Sequence, residues 1–115
     1  MAIRIIKKQI TKDELRDIAK EWFGDLVKAA VDIEQEIMAV GGELHVDAEV
    51  ELVEKERSKN KNIWGINLYP DKKAGEYIEF DSMINIKPAS GNRTRGVDSE
   101  EVRRKIISVV TSLIQ

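Results

Sequence analysis

The sequence predicts an α+β fold: a sheet of about five strands, antiparallel or mixed, with helices packed mainly on one face. Three observations point there. Three segments place apolar residues at three- and four-residue spacing, the period of a helix with one buried side. Others are rich in isoleucine and valine and alternate apolar with polar, the period of a strand. Clusters of glycine, proline and asparagine separate them in the order β-α-β-β-α-β-β-α, which suits a layer of sheet against a layer of helix. The length of 115 residues fits a single domain over 1–115, with no repeat or linker to divide it.

Ala2-Ile3-Arg4-Ile5-Ile6-Lys7 opens the chain as an isoleucine-rich strand. Thr11 then reads as a helix N-cap, with Glu14 placed to return the bond and Ile10 and Leu15 to staple the entry. Leu15, Ile18, Ala19, Trp22 and Phe23 form the apolar face of that helix, and Gly24 stops it. Two readings stand for residues 25–40. Leu26, Ala30, Ile33, Ile37 and Val40 would continue the helical stripe as far as Gly41-Gly42. Strands at 27–33 and 36–40 would instead form a hairpin. The hairpin is preferred, because Gly24 interrupts the helix and β-branched residues cluster after it, although Glu34-Gln35 is poor turn chemistry.

Asp47 can cap a second helix from Ala48 to about Arg57, carrying Val50, Leu52 and Val53 inward. Ile63 to Tyr69 is a strand ended by Pro70, and residues 77–87 read as the best strand in the chain. There Ile78, Phe80, Ser82, Ile84 and Ile86 alternate with Tyr77, Glu79, Asp81, Met83 and Asn85. Asp98, with Glu101 three residues on, opens the last helix, whose stripe is Val102, Ile106, Val109, Val110, Leu113 and Ile114.

Composition narrows the function classes. With no cysteine, disulfide frameworks, thiolate zinc sites and cysteine nucleophiles are excluded. No apolar run approaches the roughly 18 residues of a spanning helix, and residues 1–10 lack the continuous apolar region of a signal peptide. The expectation is a cytoplasmic protein without a membrane partner. Its abundant Lys, Arg and Glu beside only three glutamines is a thermophile-like composition. Charge is unevenly spread: residues 43–56 carry net -5 and residues 87–105 net +3. Such patches can complement each other within the fold or across a symmetric dimer.

Three constellations could carry chemistry. In Gly41-Gly42-Glu43-Leu44-His45-Val46-Asp47 the paired glycines mark a bend, and His45, the only histidine, sits between acids as a possible base or metal ligand. Metal candidates are His45, Asp47 and Asp81; divalent sites normally need three or four protein ligands, and with the hairpin the outward strand face offers Asp32, Glu34, Glu79 and Asp81. Asn67, Asp81 and Asn85 form a polar row inside strand-like segments, either a ligand groove or the solvated side of a sheet. Arg93 and Arg95, in the loop before the last helix, could hold an anion, although Asp98, Glu100 and Glu101 occupy the same terminus. That loop matches neither a Walker loop nor a dinucleotide fingerprint.

In residues 41–47, in Trp64-Gly65-Ile66-Asn67-Leu68-Tyr69-Pro70, and in residues 78–88 and 91–97, the chain resembles a family of small uncharacterised prokaryotic proteins catalogued as a domain of unknown function. The four segments together are far more specific than any one of them. The resemblance implies a stand-alone cytoplasmic protein and brings no activity, substrate, cofactor or catalytic residue. One departure is local. Lys55-Glu56-Arg57-Ser58 stands where a glycine-containing turn is expected in relatives, which leaves the end of the second helix open.

The leading expectation is an interaction or oligomerisation module, forming a homodimer that salt weakens if the charge patches carry it. The rival is a metal-dependent enzyme or small-ligand binder, with His45 as ligand or base, Asp47 and Asp81 holding a cation, and Asn67 and Arg93 contacting substrate. Nucleic-acid binding through Arg93, Arg95, Arg103 and Arg104 is disfavoured, because the positive segment is interrupted and the whole chain is acidic.

Overall fold

Side-chain capping starts the first helix as the sequence requires. In a computed structural model, which describes residues 2–115, the Glu14 N–H donates to Thr11 Oγ1 at 3.1 Å and the Thr11 N–H donates to Glu14 Oε1 at 3.4 Å. The helix, α1 (Lys12–Trp22), buries Leu15, Ile18 and Ala19 and ends before Gly24, whose φ is +91°. Phe23 leaves the apolar stripe. It is exposed, with Lys28 Nζ 5.2 Å from its ring centroid.

The segment after Gly24 is a hairpin, β2 (Val27–Asp32) and β3 (Ile37–Val40). Its turn is closed by side-chain bonds to Glu34-Gln35 and not by a primed-turn backbone there. The buried Asp32 carboxylate accepts from the N–H groups of Glu34 and Gln35, and Glu36 closes the loop with φ of 58°. The Gln35 carboxamide then ties the turn to Asp32, the Glu56 carbonyl and Ser58 Oγ.

With β1 (Arg4–Ile6), β4 (Ile63–Leu68) and β5 (Ile78–Glu79), the sheet order is β1-β3-β2-β4-β5, and each neighbouring pair is antiparallel. Two helices, α1 and α3 (Glu100–Leu113), pack on the face that carries Val31, Met38, Val40, Ile66 and Leu68. The third, α2 (His45–Glu56), lies on the opposite face over Ala30, Ile37, Ala39 and Ile63. Cross-strand partners Ala39, Ala30 and Gly65 form a transverse row of small residues there, which lets Ala48 and Leu52 of α2 settle with no exposure. A buried leucine of this kind contributes on the order of 2 kcal/mol. Backbone bonds between Ile10 and residues 113 and 115 join the entry of α1 to the exit of α3. Among the described residues no helix is long and apolar enough to cross a membrane.

Three expectations are corrected. Residues 77–87 are not one strand: only Ile78 and Glu79 pair with β4, and the chain then forms a 3₁₀ turn at Met83–Asn85. The cause is Gly65, where an added Cβ would lie 2.5 Å from Ser82 Cβ, so the segment folds over the sheet instead of beside it. Second, α2 begins at His45 with Leu44 as an N-cap that makes no side-chain bond, and Asp47 sits inside the first turn. Its inward stripe is His45, Ala48 and Leu52, while Val50 is 44% exposed. Third, Ser99, not Asp98, caps α3, accepting from the Val102 N–H at 3.2 Å.

Candidate functional site

Gly41 and Gly42 bend the chain from β3 into α2. Both have positive φ, +106° and +92°, and a Cβ on Gly41 would stand 2.9 Å from Trp22 Nε1. The bend delivers His45 to β4, where its Nε2 donates to the Ile66 carbonyl oxygen at 2.9 Å. A carbonyl only accepts, so Nε2 carries the proton and Nδ1 is the ring's acceptor. Burial holds the imidazole below its ordinary value, outweighing the Ile66 carbonyl, which favours the charged ring, and Lys28 adds to the lowering. The ring is neutral at pH 7.

A polar row crosses the sheet on the same face as α2. Lys28, Asn67 and Glu79 are direct cross-strand partners. Glu79 Oε1 accepts from Asn67 Nδ2 at 2.8 Å and from the Tyr69 hydroxyl at 3.0 Å. Asn67 is 8% exposed, and its carboxamide favours the charged His45 ring, yet its Oδ1 is buried and completes no hydrogen bond. Asp81 is near enough for its charge to act on His45, and it accepts from Arg95 Nε at 2.7 Å.

Of the residues the sequence singles out, His45, Asn67 and Asp81 therefore gather. Lys28 and Tyr69 join them unforeseen, because their place follows from strand register, which periodicity does not fix, and Glu79, expected on the same alternating face as Asp81, joins them too. Asp47 points elsewhere: it is exposed on α2 and makes no side-chain bond among the described residues. Arg93 is exposed and makes no side-chain bond or ion pair among the described residues, while Arg95 is engaged by Asp81, so the two arginines are not jointly held on one anion site. Among the described residues no group of three His, Asp or Glu is placed to hold a metal ion.

Asn85 has a different task. It is fully buried, its Oδ1 accepts from the Gly65 N–H at 2.7 Å, and its Nδ2 donates to the carbonyls of Gly65 and Arg95, each at 2.9 Å. The carboxamide stands in for a strand beside β4. Asn92, also buried, holds the next loop, donating to the carbonyls of Asn85, Thr94 and Gly96 and accepting from the Asp98 N–H. Asn92 was missed as a structural residue. Its signal was the Gly91-Asn92 pair inside a polar loop, which reads equally as an ordinary turn.

Comparison with known families matches nearly the whole chain. The family described as Protein of unknown function (DUF5674) covers residues 4–113. No curated protein and no solved structure matches the chain.

Proposed function

Since the chain belongs to the DUF5674 family over residues 4–113, we propose from its own geometry that it is a cytoplasmic protein-interaction module that pairs with a second copy of itself through α2. One observation carries this reading. Val46 and Val50, one turn apart on α2, are each 44% exposed, and the turn packed beside that helix presents Met83 at 64% and Ile86 at 38%. Apolar side chains grouped at a helix flank, rimmed by charge, are the usual make-up of a contact surface. A standard interface removes about 800 Å² per partner, more than four side chains supply, so Leu44 and the stems of neighbouring glutamates belong to the contact. The association is accordingly concentration-dependent.

Sedimentation velocity over a wide concentration range tests it. The wild type shifts from monomer toward dimer, and Val50→Glu and Met83→Glu, both at exposed positions, stay monomeric. A wild type that remains a monomer throughout removes the reading.

A second reading rests on Asn67. A buried acceptor without a partner, beside a neutral imidazole, suits a small ligand that offers an N–H or O–H. A divalent ion taking only His45 and Asp81 from the protein, with water completing its shell because Asp47 points away, is the other occupant, and the thermal midpoint separates them. With EDTA, then Zn²⁺, Mn²⁺, Mg²⁺ and Ca²⁺ in turn, an ion at a hundred times its dissociation constant stabilises by about 2.7 kcal/mol. A rise that His45→Ala abolishes favours the metal; no rise leaves the organic ligand.

A further inference from the structure

A cavity of about 350 Å³ opens between α3, β5 and the loop of residues 71–76, across the sheet from His45. Its size falls within the range of small-molecule sites. The wall is apolar, with Phe80, Ile107 and Val110 prominent, and two lysines, Lys12 and Lys72, line it without any Asp or Glu. Neither lysine is neutralised by a carboxylate among the described residues. Lys12 Nζ stands 5.3 Å from the Tyr77 ring centroid and Lys72 Nζ 4.0 Å from that of Tyr69, so aromatic faces are their neighbours. Tyr77, also in the lining, has a buried hydroxyl with no hydrogen-bond partner. Burial pushes that phenol up to about 12, so it adds no negative charge beside the lysines.

We propose that this cavity binds a small organic anion, a carboxylate on an apolar body. The body lies among Phe80, Ile107 and Val110. The carboxylate faces Lys12 and Lys72. Apolar walls supply affinity with little preference, and the two ammonium groups select a negative head over a neutral or positive one. The site is independent of the α2 surface and stands whether or not the protein self-associates.

Three probes of equal chain length test it: octanoate, octanol and octylammonium, titrated into the ¹⁵N-labelled full chain. Octanoate shifts the amides of Phe80, Ile107 and Val110 and binds at least about tenfold more tightly than octanol, a difference of about 1.4 kcal/mol. Octylammonium leaves those amides unmoved. The Lys12→Glu, Lys72→Glu double variant weakens octanoate by about tenfold or more with an unchanged spectrum elsewhere, because both side chains are exposed. Ile107→Trp, which fills the cavity from an exposed position, abolishes the octanoate shifts. Equal affinity for octanoate and octanol overturns the anion preference, and shifts that miss the cavity, or none at millimolar probe, overturn the site.

Discussion

Asn85 replaces several backbone partners with one side chain. Removing it leaves the Gly65 N–H and C=O and the Arg95 carbonyl short of bonds in a buried place, so Asn85→Ala costs about 3 kcal/mol or more in urea unfolding. Asn85→Asp keeps the acceptor but turns a second oxygen on two carbonyls; its defect is larger at pH 7 than at pH 4, where a protonated carboxyl can donate again. Equal losses at both pH values would refute that account. His45 makes a second prediction. Its folded pKa lies below the unfolded value near 6.5, so as pH falls the unfolded chain takes up the proton first. The stability that the neutral ring provides is complete above pH 6.5 and is lost below it toward the folded value, by at most about 1.4 kcal/mol per pH unit. His45→Leu strands the Ile66 carbonyl and is less stable at pH 7, but its urea midpoint falls less steeply between pH 7 and pH 5 than that of the wild type. Parallel slopes would show that the ring is not titrating in that window.

Elements were legible wherever one face repeats. The stripe of α1, its capping box and the stripe of α3 follow directly from residue spacing, because both helices meet the sheet through one continuous side. The β2–β3 hairpin was legible from its β-branched run, whereas its turn was not, since the closing device is a buried carboxylate one residue before the turn proper. The run 77–87 failed for a tertiary reason: alternation was present, but the missing side chain at Gly65 drew Ser82 onto the sheet. The candidate site was partly legible, with His45, Asn67, Glu79 and Asp81 found and Lys28 and Tyr69 hidden by register. The open end of α2 resolves at Arg57, which adopts a left-handed φ of 57° where glycine is at ease. Arg57→Gly is therefore expected to stabilise the protein by about 0.5–1 kcal/mol, a rise in thermal midpoint of several degrees for a domain of this size. A fall would mean that the arginine side chain holds something worth more than its strain.

α2 holds five of the six acids of the negative segment, whereas α3, on the opposite face of the sheet, holds three of the six bases of the positive one. No ion pair among the described residues joins them. Glu100 engages Arg104, Glu101 engages Lys105 and Asp81 engages Arg95, whereas Glu43, Asp47, Glu49 and Glu54 engage no base. A two-fold dimer needs one patch that complements itself, so acid-to-base contact between opposite faces would run head to tail and stay open. Contact through α2 instead brings like charges together, and added salt should tighten the dimer by screening them. Sedimentation at 50 mM and 500 mM NaCl distinguishes the two: weakening with salt would point to the head-to-tail arrangement. The sheet's margins have a bearing on behaviour at high concentration. β5 is two residues long and β1 three, and next to β5 the free side of β4 at Gly65 is occupied by the Asn85 carboxamide. A side-chain amide saturates the strand without offering a fresh ladder outward, so a stray extended chain finds no template there. Fibril growth by strand addition is blocked at its starting point, and Asn85 acts as a guard against aggregation as well as a brace of the fold.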